Sequence, residues 1–227
     1  QVCKYPMEII GVDNDSKDCT AQIFQDTHVP YYTETQHSCG WARSCGLAHA
    51  KGKYHINIDS DTLYPPHYVE IMVDALEKKN VVGASSLWSY IPDQAHPWWQ
   101  LKIYEFTRDC YLFLQSFKRP EMSVRGMVFA YHTQLAQKVG IRTHIIRGED
   151  GALAFGLREY GKLYFVRKRK ARAVTGYGTV SKDGTLFDSF KVRVIKGLKN
   201  ISSLFTSKTE YIDEESNLII QKNENSN

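Results

Sequence analysis

Apolar and polar positions along this chain fall into two rhythms that alternate. MEIIGV (7–12) is an apolar, β-branched run and predicts a buried strand. DNDSKD (13–18) then supplies turn and helix-capping residues. CTAQIFQ reads as a short helix, VPYYTET (29–35) as a strand, and SCGWARSCGLAHAKG (38–52) as a helix closed by glycine. KYHINID (53–59) is a third strand. PPHYVEIMVDALEKKN (65–80) opens with proline and ends in lysines, as a helix does. VVGASSLW (81–88) is again a strand. Strands that alternate with helices in this way predict crossover units and a largely parallel sheet with helices on its faces.

After residue 92 the alternation loosens. HPWWQLKIYEFTRDCYLFLQSF (96–117) is helical and rich in aromatics, VRGMVFAYHT (124–133) is a strand, and GEDGALAFGLREYGK (148–162) is a helix. LYFVRKRKARAV (163–174) is strand-like and basic, and its RKRKAR run (167–172) reads as a solvated strand end that attracts anions. VTGYGTVSKDGTLF (174–187) reads as a glycine-rich loop. LFDSFKVRVIKGLKNISSLF (186–205) has the pattern of an amphipathic helix, and EESNLIIQKNENSN that of a frayed tail.

Composition narrows the class. The 227 residues suit one large domain or one domain with an appendage, and at 42% hydrophobic they can bury a real core. A formal charge of +4 is too mild for a nucleic-acid protein, so no nucleic-acid partner is expected. Five scattered cysteines without a C-x-x-C pair argue for reduced thiols and a cytoplasmic setting. The histidines form no zinc pattern. No apolar run approaches the roughly 18 residues of a membrane span.

Two acidic pairs change the picture. Asp13 and Asp15 follow the strand ending at Val12, and Asp59 and Asp61 follow the strand ending at Ile58. In an open parallel sheet, ligands gather at the carboxyl ends of the strands. Like charges there repel unless a cation lies between them. Mg²⁺ or Mn²⁺, held by one or two carboxylates and by phosphate oxygens, fits that need. Either pair alone is equally well read as a turn or helix cap. Both together, on successive strand ends, favour a site. Glu149 and Asp150 open a later helix, where the macrodipole favours acids in any case. Gly148 and Gly151 flank them and allow close approach.

Three stretches together resemble the inverting family 2 glycosyltransferases of the GT-A fold. EIIGVDNDSKDCT is similar to that family's EIIVVDDGSTDGT. WARSCGLAHAKGKYHINIDSD is similar to its ARNxGLxxAxGxYIxFLDxDD run, through Ala42, Arg43, Gly46, Leu47, Ala50, Gly52, Tyr54, Asp59 and Asp61. RGEDGALAFGLREYG resembles its late Glu-Asp helix. The resemblance implies a Rossmann-like, mostly parallel sheet flanked by helices. It implies a catalytic domain over 1–175, with a donor nucleotide-binding half at 1–92 and an acceptor half at 93–175. Residues 176–227 would then form a lid loop, an amphipathic helix and a tail. The family's opening strand and first helix have no counterpart here, so missing residues are expected.

The resemblance also implies roles. Asp13 faces the nucleotide base, with Asn14 or Asp15 assisting. Arg43 sits near the nucleotide and its diphosphate. Asp61 holds Mn²⁺ or Mg²⁺, supported by Asp59. Asp150 is the catalytic base that activates an acceptor hydroxyl, and Glu149 raises its pKa by like-charge repulsion. The donor is a nucleoside-diphosphate sugar, and the acceptor a glycan or lipid-linked hydroxyl of polysaccharide or cell-envelope synthesis. Ser44 replaces the family's usual asparagine, and Cys39 and Trp41 are unusual beside a donor site. Trp98, with Trp99, Tyr104, Phe106, Tyr111 and Phe113, forms either a sugar-stacking wall or membrane-facing patch, or more commonly core. His132 is a candidate for contact with acceptor or metal. The basic C-terminal region offers peripheral contact with the inner face of a membrane. Two rivals stand beside this reading. One is a phosphohydrolase of the haloacid dehalogenase type, from INIDSDTL. The other is a non-catalytic sugar-binding remnant.

Overall fold

The structure, a computed structural model, describes residues 1–94, 96–145 and 148–176. The body of the expected lid loop, the 186–205 helix and the tail lie outside these residues. The first strand, β1, is short (Gly11–Asp13) and pairs in parallel with β2 (Tyr31–Thr33), with helix α1 (Thr20–Asp26) between them. Helix α2 (Cys39–His49) follows. Ser38 caps it, its Oγ accepting from Trp41 N at 3.1 Å. Gly46 on α2 leaves room for Val12 of β1 and for His55 of β3 (Tyr54–Ile56). Before β1, Glu8 accepts from the backbone N–H groups of Lys51 and Gly52, just before β3. The two strands therefore start at one edge and end at the other, as the sequence pattern requires.

The main sheet has the order β3–β7–β5–β8, with β5 at Val81–Ser86, β7 at Phe129–His132 and β8 at Lys162–Val166. Strands β5 and β8 are parallel, but β7 runs antiparallel to both β3 and β5. The sheet is thus mixed rather than mostly parallel. Helix α3 (Tyr68–Leu76) covers one face through Tyr68, Met72 and Leu76 against Val81, Ala84, Ala130 and Val166. On the other face, α5 (Thr133–Val139) and α6 (Glu149–Leu157) pack Ala136, Leu153, Ala154 and Leu157 against Val82, Phe129 and Tyr131. Each face buries apolar side chains at helical spacing, the driving term for the fold.

A smaller sheet joins β4 (Thr62–Leu63), β9 (Ala173–Thr175) and β6 (Trp88–Tyr90). It carries the segment after Asp61 and is covered by the long helix α4 (Trp98–Lys118), through Leu101, Tyr104 and Leu112. The basic run after β8 is a 3₁₀ turn (Arg169–Ala171), not a continuous strand, and it lets the chain pass from the main sheet to the small one.

Candidate active site

Arg43 is the hub of the site. Its position on α2, one turn beyond the capped N-terminus, aims it at the carboxyl edge of β3. Nη1 donates to Glu149 Oε1 at 2.5 Å, and Nη2 donates to Asp59 Oδ1 at 3.2 Å. Two acidic segments from distant parts of the chain thereby share one buried guanidinium. Burial acts to lower the Arg43 pKa, but Asp59, Glu149 and Asp150 more than offset it and hold the group firmly charged. The backbone at Gly126 lies flush against this guanidinium, so that a Cβ there would overlap Nη1, Cζ and Nη2. The planar fork suits such a sandwich, where a lysine would present a point charge.

Glu149 is buried at the start of α6, and Asp150 beside it is half-buried. Gly148 precedes them with φ +95°, a conformation that favours glycine and turns the chain sharply into the helix. Burial first, and then the Asp150 charge, push the Glu149 carboxyl above its ordinary pKa, while Arg43 pulls it down. Glu149 is the more deeply buried of the two acids. Asp150 Oδ1 accepts from Gly151 N at 2.8 Å.

The Asp59–Asp61 loop is tied down on both sides. Asp59 N donates to Tyr64 Oη at 3.0 Å, and Tyr64 Oη donates to Met127 O at 2.7 Å. Thr62 Oγ1 donates to Asp61 Oδ1 at 3.0 Å and shares a second 3.0 Å bond with Thr175 Oγ1. Asp61 itself is exposed, with no ion-pair partner among the described residues. No group of three or more metal-ligating side chains exists among the described residues. A carboxylate steered by a neighbour but free of a cation, next to Asp59, nevertheless suits a hard divalent ion that takes its other ligands from water and phosphate. The donor set therefore fits Mn²⁺ or Mg²⁺ through Asp61, with Asp59 partly committed to Arg43.

At the end of β1, Asp13 is buried and accepts from Ser16 N at 3.0 Å. Asn14 spends its whole amide on backbone. It donates to Glu34 O and Gln36 O and accepts from Ser38 N, which ties the β1 end to the start of α2. Asp15 adopts φ +53° and pairs with Lys17 at 2.8 Å and with His37 at 3.3 Å. Hydrogen bonding to Lys17, then its charge, lower the Asp15 pKa.

One expected contributor, His132, stands apart. His132 pairs in register with Tyr54, at the start of β3, while Asp59 follows its end. The reversed direction of β7 carries His132 to the opposite edge of the sheet from Asp59. Trp98 begins α4 and is 66% exposed. The residues that sequence reasoning missed are Gly126, Tyr64, Thr62 and Thr175. An isolated glycine just before a strand was the one available signal, since it marks close approach of another group. The partners of Tyr64 and Thr62 lie 63 and 113 residues away and leave no local trace.

A family model for glycosyl transferase family 2 matches residues 1–140. The chain belongs to glycosyl transferase family 2. It is 26% identical over 165 residues to an uncharacterized glycosyltransferase of Rickettsia prowazekii, covering 70% of this chain and 52% of that protein. The chain thus spans about half the length of this curated relative. Among solved structures, it is similar to a mannosyltransferase from Pyrobaculum calidifontis in complex with GDP-Man and Mn²⁺ (TM-score 0.57, 20% identity, 76% of this chain and 49% of that one). It is also similar to glucosyl-3-phosphoglycerate synthase from Mycobacterium tuberculosis in complex with Mn²⁺, UDP-glucose and phosphoglyceric acid (TM-score 0.54, 18% identity, 88% of this chain and 69% of that one). TarS of S. aureus in complex with UDP gives a TM-score of 0.58 at 14% identity, with 77% of this chain and 53% of that one covered. These likenesses establish the GT-A type of α/β fold, with mixed sheets flanked by helices.

Proposed function

We propose that this chain holds the donor site and the acid–base machinery of a metal-dependent inverting glycosyltransferase. It moves a sugar from a nucleoside diphosphate to a hydroxyl acceptor, a glycan or lipid-linked precursor in polysaccharide or cell-envelope synthesis, on the cytoplasmic side. The observation that carries this reading is the Arg43 cluster, which joins the Asp59–Asp61 loop to the Glu149–Asp150 helix start. The bound mannosyl and glucosyl nucleotides of the similar solved structures support the donor class, and their Mn²⁺ supports the metal.

In this reading Asp13 and its capped turn receive the nucleotide base, and Asn14 and Asp15 shape the loop around it. Asp61, with Asp59, offers oxygen to Mn²⁺ or Mg²⁺. Bound there, such an ion would supply positive charge to offset that building on the departing diphosphate. Arg43 acts as a positioning residue, because its Nη1 donates to Glu149 and its Nη2 to Asp59. The acceptor oxygen forms a bond to the anomeric carbon as the bond from that carbon to the diphosphate oxygen breaks. The acceptor proton passes to Asp150, and attack from the opposite face inverts the centre. Trp98 and His132 have no part in this scheme. The phosphohydrolase rival finds no support in the family match, which covers the aspartate loop itself.

The test is turnover of a nucleotide-sugar panel with an anomer-resolved NMR readout. Release of nucleoside diphosphate with an inverted product supports the proposal. Retained configuration, or inorganic phosphate released without transfer, overturns it.

A further inference from the structure

Helix α4 has a buried face and, opposite it, an exposed apolar one. Its inward face carries Leu101, Tyr104, Glu105, Arg108, Leu112 and Gln115, all buried. Its outward face carries Trp99, Ile103, Phe106, Cys110, Phe113 and Phe117, at alternating steps of four and three. The outward face is the more apolar of the two, yet Phe106 is 70% exposed and Phe117 68% exposed. That spacing is the seam one helix presents to another. From Trp99 to Phe117 it runs about 27 Å at 1.5 Å per residue. Beside it lies a pocket of about 230 Å³, whose lining includes Phe106, Cys110, Phe113 and Phe165. The buried Ser85 Oγ on the pocket wall has no hydrogen-bond partner.

The described chain ends next to this helix. Arg172 pairs with Asp109 and, at 3.8 Å, with Glu105, both on α4. Thr175 O accepts from Ile91 N, a few residues before α4 begins. From Gly176 the chain continues to residue 227. Within that length, Phe187, Phe190, Val194, Leu198, Ile201 and Phe205 recur at steps of three and four. This second seam spans as many residues as the first. On a helical projection Lys196 and Lys199 fall outside it. Ten residues, 177–186, separate it from the described fold and reach up to about 33 Å.

We propose that residues 186–205 of this chain dock lengthwise on the outward face of α4 and cover Cys110. A tethered segment that leaves the fold next to α4 itself has a high effective concentration at that helix. A second copy or a membrane surface has no such advantage.

The test uses the full-length chain and peptide-resolved alkylation of Cys110 against Cys19, which is also exposed in the described fold. In wild type, Cys110 should react about tenfold slower than Cys19, at every protein concentration and without lipid. The double variant Leu198→Asp, Ile201→Asp should bring the two rates together. Trypsin cleavage after Lys196 and Lys199 gives an independent readout, slow in wild type and fast in Phe106→Asp. Equal rates at Cys110 and Cys19 in wild type overturn the proposal. So does protection that appears only at high protein concentration, which indicates a second copy, or only with anionic vesicles, which indicates a membrane. Protection that persists in the double variant overturns it as well.

Discussion

Arg43 and Glu149, 106 residues apart, meet at 2.5 Å, and the same guanidinium reaches Asp59 at 3.2 Å. One buried cation thus sets the distance between the loop proposed to hold the metal and the helix proposed to hold the base. Its side chain is 17% exposed and that of Glu149 is 9% exposed, so the pair is shielded from solvent.

Removing one partner of such a pair leaves an unpaired buried charge. Arg43→Ala should lower unfolding free energy by about 3–5 kcal/mol. Arg43→Lys should recover only part of that, because a lysine cannot bridge both acids with a planar fork. Urea denaturation of the three proteins checks this. Equal stability of Ala and wild type would remove Arg43 from its role as hub.

Gly126 offers a sharper test of the same geometry. A Cβ there overlaps the guanidinium. Gly126→Ala alone should destabilise by about 1–3 kcal/mol through overpacking. In the Arg43→Ala background, the same change should cost far less. A double-mutant cycle therefore predicts coupling of at least about 1 kcal/mol, and additive effects would place the two residues out of contact.

Glu149 makes a prediction in pH. Burial, then the Asp150 charge, hold its carboxyl above the ordinary value in the fold. Between the unfolded pKa near about 4.3 and the raised folded value, the native state binds more protons than the unfolded one. Glu149 therefore favours the fold most at low pH, and this contribution is lost as pH rises through the folded pKa. The Tm of wild type relative to Glu149→Gln should fall with rising pH across that window. A difference that rises with pH would reverse the sign of the shift.

The motif stretches were legible because their geometry is local. The capped start of α2, the acids after β3 and the acids opening α6 each follow from neighbours in sequence. What could not be read was strand direction. The pattern of VRGMVFAYHT gives an extended segment, but nothing in it tells β7 to run against β3 and β5. That reversal brings Gly126 and Met127 to the Asp59 edge and carries His132 away from it. The small sheet was equally hidden, because β4, β6 and β9 have only two or three residues each. The pairing of Arg43 with Glu149 on α6 could not be read, because the two lie 106 residues apart.

Asp150→Asn should abolish turnover while leaving nucleotide affinity within about threefold of wild type, the pattern of a group that acts only in the transition state. Loss of donor binding would move Asp150 out of the role of base.

The most direct test of the account is a thermal-shift titration of the full-length protein with nucleoside diphosphates and their sugars, with and without Mn²⁺, for wild type and Asp61→Asn. The account predicts a nucleotide that raises Tm in wild type only when Mn²⁺ is present, and no such metal-linked rise in Asp61→Asn. Stabilisation that is equal without metal, or equal in the variant, would contradict it.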